Sequence, residues 1–536
     1  MVDQALAVQR RRSALVAALV AAVVLAGLAV ALSGGGGSGS AAAASPRGAL
    51  DRAATVIPSD ALADVSLALG GHRPPVAQAL AVARRLPDFP LVYAAAVSKL
   101  GTIISGGRPV DVGTRIAPWL GDRASLALLD TTTATAGTLV VVAVTDRSAA
   151  RAFVRSMGAA AHGRYRGIAI EAYPDGSELT FLGEDLVIGQ DASVRAAIDV
   201  ATGHAPSLAK AAVYRRAVAG APAGRALDAY ASAAGVQRVL AGQGGVLGEL
   251  GTLLSQPSLA AVAISVVPTS AGARLVIHSA LSTKGSTASP SFDPTLASVM
   301  PAGAGLLLDV TGLGRALPQV LDFGTASGAT GGIGTLLSRL GSALTAEGVK
   351  VSDIVSIFQR EAAVGILKPG ASPVLVVVAR APRAARTASE LSRLEAPFAR
   401  LFAAKGRAPA FHARPVAGVT AHQLVVDAGL QLDYAVFRGL VVVSTSLDGI
   451  AAVARPGPPL SRSAPFTAVL GDRPATVTSL VYADLAEIVA VAKQSGLSDG
   501  SLFARVLPDL RHVTGAGLTS SRGSGASTTQ VTIGIR

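Results

Sequence analysis

Three short segments of this 536-residue chain recur, in the same order, in its second half. Val56-Ile57-Pro58 returns as Val299-Met300-Pro301. Leu139-Val140-Val141-Val142-Ala143 returns as Leu375-Val376-Val377-Val378-Ala379, and Leu186-Val187-Ile188 as Leu440-Val441-Val442. Any one match is weak in a Val-rich chain, but three in order, with separations that drift as loop insertions would make them, mark an internal duplication. Solenoid units repeat every ~20–50 residues, so a repeat of this length means duplicated domains. The expectation is two related repeats, 49–281 and 291–536, separated by a polar junction at 282–290 that ends in Pro290.

Each repeat alternates helices with strands. Asp146 can cap a helix whose Ala150, Phe153, Val154 and Met157 form one apolar face, with Gly158 closing it. Pro74-Pro75 opens another, with Val76, Leu80 and Ala83 aligned, and Gly244-Gly245-Val246-Leu247 reads as a further helix start. Strand candidates 123–130 and 138–144 flank a polar connection. Candidates 168–173 and 178–182 flank Pro174-Asp175-Gly176, a strong turn signal. Each repeat closes on a strand pair, 259–267 with 274–280 and 515–521 with 530–536. Hairpins mixed with helices predict an α+β fold with mostly antiparallel sheets and packed helices.

Ahead of the repeats, residues 13–33 form an uninterrupted apolar run between Arg10-Arg11-Arg12 and a glycine tract. About 20 helical residues span ~30 Å, the thickness of a bilayer core. The arginine triplet predicts that residues 1–12 stay cytoplasmic, making 13–33 a transmembrane signal anchor and the remainder extracytoplasmic. The competing reading is a cleaved secretory signal, with Ala29-Val30-Ala31 as cleavage site, although signal h-regions run only ~7–15 residues. Other apolar runs, such as 259–267 and 485–492, are too short to cross, so the expectation is a single pass. The Gly/Ser/Ala-rich segment 34–48 reads as a flexible linker of ~20 Å average reach. Ala14, Ala18, Ala22 and Ala26 lay a small-residue stripe on the anchor, which would permit a homodimer through close helix approach.

Composition removes several function classes. The chain has no Cys, which excludes a lipidated cysteine and a disulfide framework and leaves stability to apolar cores. Net charge is +13, yet the arginines are dispersed and aromatics make up 4% with one Trp. Nucleic-acid binders need a concentrated basic patch or stacking platforms, so no nucleic acid is expected. Weak attraction to an anionic envelope polymer or lipid surface fits the charge better.

Pro118-Trp119-Leu120-Gly121-Asp122 leading into a strand, together with Ile57-Pro58 and the N-terminal anchor, resembles the domain-of-unknown-function family 3352, a group of membrane-anchored actinobacterial envelope proteins. The resemblance runs from Ala54 onward. It implies an extracytoplasmic, duplicated α+β protein and brings no established activity, so it carries over no catalytic residue. The matching position of the second half reads Ile357-Phe358-Gln359-Arg360-Glu361, without the Trp. Trp119 is read as a core anchor, the alternative being a pocket wall.

The search for chemistry is largely negative. No Lys follows a Gly, which excludes a phosphate-binding GxxxxGK[ST] loop, and Gly242, Gly244, Gly245 and Gly248 have the wrong spacing for GxGxxG. His72, His162, His204, His278, His412, His422 and His512 form neither HxxxH nor HExxH. One motif carries an argument. Ser207-Leu208-Ala209-Lys210 has the S-x-x-K spacing that can bring a lysine amine to a serine hydroxyl. Against it, the accompanying SDN element is impossible without Asn, and Lys284-Gly285-Ser286 is not KTG. The corresponding stretch of the second half is Pro459-Leu460-Ser461-Arg462, so an exposed helix start is the expectation here. Glu184-Asp185 and Asp175 sit where solvated acids lie, whereas a glycosidase needs two carboxyls ~5–9 Å apart in a cleft. No catalytic, cofactor-binding or metal residue is assigned, and no cofactor is implied. The expected function is non-enzymatic binding of an envelope partner or an apolar ligand such as a lipid, in a cleft between the repeats. A cell-wall hydrolase or transpeptidase-like enzyme, and a structural scaffold of a membrane complex, are the alternatives.

Overall fold

Leu139 and Val141 face one core, and Val140 and Val142 face another. Side chains alternate along a strand, so a continuous Val/Leu run serves two layers at once. The computed structural model describes residues 49–69, 74–87, 89–129, 137–241, 258–282, 290–312, 358–368, 373–400, 402–403, 408–426, 431–455, 457–487, 512–523 and 525–536. The segments read as anchor (13–33) and linker (34–48), the Gly244–Leu247 region, His72 and most of the 282–290 junction lie outside these residues. Among the described residues no helix is long and apolar enough to cross a membrane.

The first half contributes β1 (Ala63–Ala68), β2 (Leu120–Leu129), β3 (Gly137–Val144), β4 (Ala160–Tyr165), β5 (Ile168–Ala172), β6 (Glu178–Leu182), β7 (Asp185–Gly189), β8 (Leu227–Ser232), β9 (Leu259–Thr269) and β10 (Gly272–Leu281). The second contributes β11 (Ala304–Thr311), β12 (Glu361–Leu367), β13 (Val374–Arg380), β14 (His412–Val416), β15 (Val419–Val425), β16 (Gln431–Phe437), β17 (Leu440–Ser444), β18 (Ser479–Asp484), β19 (Val513–Gly523) and β20 (Ala526–Ile535). All pair antiparallel. In space the first half runs β4-β5-β6-β7-β3-β2-β1-β8-β9-β10. The second runs β14-β15-β16-β17-β13-β12-β11-β18-β19-β20. The two orders are the same, strand for strand. They meet where β10 pairs with β20, from Gly272 opposite Gly534 to Ala280 opposite Ala526, giving one antiparallel sheet of twenty strands among the described residues.

Helices cover this sheet. Helix Arg147–Ser156 begins where the sequence indicates, with the Asp146 carboxylate accepting from Ser148 N at 2.9 Å and Ala149 N at 3.0 Å. Its Ala150, Phe153 and Val154 are buried in the core that holds Val140 and Val142. Helix Asp191–Ala201 closes the opposite core with Val194, Ala197 and Ile198. Helix Pro74–Ala83 differs from expectation. It rests on β9 and β10 and buries Val82, while Val76, Leu80 and Ala83 stay only half-buried.

Trp119 is a core anchor rather than a pocket wall. Its ring is buried, lies 5.5 Å from Phe153, and its Nε1–H donates to the Arg115 carbonyl at 2.8 Å. The indole nitrogen is thereby satisfied inside an apolar core, the condition under which burying Trp is favourable.

A polar group the sequence leaves unmarked sits in β11, where Asp309 follows Leu306-Leu307-Leu308 and is fully buried. Beside it, Glu361 accepts from Thr295 Oγ1 at 2.6 Å, from Leu296 N at 2.7 Å, and from Thr295 N and Arg380. It therefore caps the turn Leu296–Ser298. Burial, with the neighbouring Glu361 adding to it, pushes the Asp309 carboxyl up to about 9, so at neutral pH it is a neutral acid next to a carboxylate.

Two outcomes follow. Trp119→Ala should lower unfolding free energy by ~3–5 kcal/mol through the cavity it leaves, measured by urea denaturation followed by circular dichroism; a loss of less than ~1 kcal/mol would contradict the anchoring role. For Asp309, the folded carboxyl lies above its unfolded value of 3.8. The folded state then holds a proton that the unfolded state releases, and stability declines as pH rises through the window from about 4 to about 9. Asp309→Asn keeps the shape without the titration. It should match the wild type at pH ~4 and exceed it at pH ~8, whereas a variant less stable at the higher pH would overturn the assignment.

Candidate functional site

Three cavities stand out among the described residues. The first lies at the seam between the halves, about 130 Å³ in volume, with Arg274, Asp472, Arg473, Gln530 and Thr532 on its wall. It is a small polar cleft. The second, about 10 Å³, adjoins Asp64, Ser66, Asp228 and Ser265. Ser66, Asp228 and Ser265 belong to a row in register across four strands, Ser125-Ser66-Asp228-Ser265, with Asp64 two residues before Ser66 on β1. Both carboxylates accept hydroxyl hydrogens there: Asp64 from Ser66 at 3.2 Å and from Ser125, Asp228 from Ser265 at 2.5 Å. Arg225 pairs with Asp228 as well, and the space beside the network is too small for more than a water.

The third cavity is the largest of these, about 280 Å³, and its wall includes Thr55, Ser207, Lys210 and Arg215. Its position follows from local chain geometry. Pro58 and Ser207 form an isolated antiparallel bridge, in which Leu208 N donates to Ile57 O at 2.7 Å and Ser59 N to Pro206 O at 3.0 Å. Ile57 and Leu208 are fully buried, so the bridge fixes the turn to the core. The second half does the same with a Pro301–Pro459 bridge, Leu460 N donating to Met300 O at 2.8 Å. There Pro459 stands in the place of Ser207, without a hydroxyl.

The S-x-x-K motif is a helix start as expected, with Lys210 exposed and Ser207 not. Ser207 is only 6% exposed and precedes the 3-10 turn Leu208–Lys210. Residues three apart eclipse in a 3-10 turn, which brings Ser207 and Lys210 to the same cavity. No hydrogen bond joins the serine hydroxyl to the lysine amine among the described residues, so the pair lacks the contact that would activate a nucleophile. Neither Lys210 nor Arg215 has an ion-pair partner among the described residues, and no Asp or Glu lines the cavity.

The acids singled out by sequence stay apart. Asp175 accepts from Ser177 N at 3.0 Å and Ser177 Oγ at 2.6 Å, an exposed turn-closing role. Glu184 is exposed in the β6–β7 turn, but Asp185 is not solvated as expected. It is buried and pairs with the buried Arg123 of β2, on the far side of β3. Burial raises its carboxyl and Arg123 opposes the rise. The histidines are scattered: His162 meets Glu178 at 3.3 Å, His278 meets Thr528 at 2.9 Å, and His422 meets Glu395 at 2.7 Å while stacking on Tyr434. Among the described residues no three His, Cys, Asp or Glu converge on a metal position. Arg215 and Thr55 were not legible as site residues, because only the folded turn brings them to Lys210. The sequence signal was the S-x-x-K spacing alone.

The chain has weak likenesses among solved structures. Crystal forms I, III and IV of TP0453 match at 11%, 10% and 8% identity, with TM-scores of 0.26, 0.25 and 0.26. In the same order, the matches cover 44%, 42% and 44% of this chain and 80%, 78% and 81% of that chain. No curated protein matches the chain. The family model described as a protein of unknown function (DUF3352) matches residues 15–536, and the chain belongs to that family.

Proposed function

We propose that this chain is a single-pass, membrane-tethered binding protein of the cell envelope, non-enzymatic, with its folded region extracytoplasmic and its two halves derived by duplication. The observation that carries the binding reading is the cavity at Ser207, Lys210 and Arg215, where two cations without acidic partners among the described residues meet a serine hydroxyl. Such a wall can hold an anionic group but has no base placed to activate the serine. The duplication is supported by the identical strand orders of the halves and by their paired proline bridges, Pro58–Ser207 and Pro301–Pro459. Tethering is supported by the apolar run 13–33 behind Arg10-Arg11-Arg12, and the net charge of +13 favours an anionic lipid surface or envelope polymer as surroundings. A homodimer through the Ala14/Ala18/Ala22/Ala26 stripe is compatible with this arrangement.

Protease added to intact spheroplasts should digest the folded region while the chain stays with the membrane fraction, and mass spectrometry of the full chain extracted in mild detergent should find a co-purifying small molecule. Protection from protease would contradict the topology. Recovery of a soluble form beginning near Leu32 or Ala44 would replace the anchor with a cleaved signal.

A further inference from the structure

We infer that the cavity formed by Ser207, Lys210 and Arg215 binds the oxyanion of a phosphate monoester, either as free phosphate or as a terminal phosphate on a lipid headgroup. This deepens the binding reading above and rests on it.

Charge comes first. Lys210 and Arg215 supply two positive charges to a space whose remaining walls are Thr55 and small apolar side chains. Some arginines of this half are neutralised by carboxylates, as in Arg123–Asp185 and Arg195–Asp191, and others bond neutral oxygens, as Arg115 does with Ser156. The carboxylate next in sequence to this wall, Asp199, is itself engaged by Arg166 and by the Tyr165 hydroxyl at 3.3 Å. The carbonyls at the end of helix Asp191–Ala201 are also occupied. Ile198 O accepts from Thr202 N, and Asp199 O accepts from His204 N and Ala205 N. Nothing on these neighbours offsets the two cations. A phosphate monoester carries about −1.5 to −2 at neutral pH, which matches them, whereas a carboxylate carries one charge.

Hydrogen bonding selects in the same direction. Ser207 lines the cavity, and its hydroxyl makes no hydrogen bond among the described residues. A hydroxyl free to donate into the cavity can serve an anion oxygen. Arg215 adds a planar fork and Lys210 a three-donor ammonium, together enough donors for the oxygens of a phosphate rather than the two of a carboxylate. Thr55 donates to Arg52 O at 2.6 Å and can only accept, which suits a protonated oxygen of the phosphate. The volume, about 280 Å³, is below the ~300–1,000 Å³ typical of sites that enclose a whole drug-sized molecule, so the cavity fits a headgroup and not an acyl chain.

The test uses the full-length chain in detergent micelles, titrated with inorganic phosphate by isothermal calorimetry, beside Ser207→Ala, Lys210→Gln and Arg215→Gln. Both cations are on exposed residues, so these variants should retain the wild-type circular dichroism spectrum. Saturable phosphate binding is expected, weakened ~10-fold or more by each charge removal and less by loss of the hydroxyl. Absence of saturable binding, or equal binding by all variants, would overturn the proposal. Co-flotation with vesicles of phosphatidylcholine containing phosphatidic acid or phosphatidylglycerol then separates the sources. Phosphatidic acid preference that Arg215→Gln abolishes identifies a lipid phosphate, and phosphate binding without that preference identifies the free anion. An uncharged co-purifying ligand with no phosphate binding would sink this inference alone, whereas phosphate binding accompanied by turnover would sink the non-enzymatic reading and leave the inference standing.

Discussion

The backbone ladder between β10 and β20 is the interaction on which the molecule's architecture depends. Each strand would otherwise be the open edge of a ten-stranded half, a row of unpaired amides and carbonyls. Pairing the two edges satisfies both rows and turns two sheets into one. Side chains reinforce the join. Leu275, Ile277 and Val531 share one apolar cluster with Leu518 and Ile533, and Arg274 meets Asp472 at 3.1 Å. Gly272 is required at the first position, since a Cβ there would overlap the Ile533 carbonyl oxygen. The halves are thus coupled through a common sheet and not through the facing walls of a cleft.

The outer ends of the sheet are handled differently. Among the described residues, β4 and β14 pair on one side only. Strand β4 is exposed along most of its length, carries His162 and Arg164, and has a register irregularity between Ala161 and Gly163. Strand β14 carries Arg414 and Pro415, a charge and a residue without an amide hydrogen. Both features discourage further strand addition. The β4–β5 and β14–β15 hairpins also turn alike, through Arg166-Gly167 and Ala417-Gly418, with positive φ at all four residues.

How much of this was legible depended on which force shaped each element. Strands β3, β6 and β7 bury side chains in two cores, so their Val/Leu runs were readable, and Asp146 was readable as a cap because its chemistry is local. Strand β4 was not, because Ala160-Ala161-His162-Gly163-Arg164 has no apolar alternation to signal it. Backbone pairing between β10 and β20 leaves no residue signature at all. Asp309 was hidden for another reason: its neutral, buried state depends on the strand register that places Glu361 beside it. The candidate site was half legible. The serine and lysine share one turn and could be seen together, whereas the bridge to Pro58 that holds the turn and the addition of Arg215 could not.

If the seam is what makes the two halves one structure, its amides should be among the last to exchange. Hydrogen–deuterium exchange of the full-length chain, read on peptides covering 272–280 and 526–534 and compared with those covering β3 and β13, tests this directly. The account predicts that seam amides are protected as strongly as the central strands of either half and open together with them. Seam amides that exchange rapidly while β3 and β13 remain protected would show two independent halves resting side by side, and would contradict it.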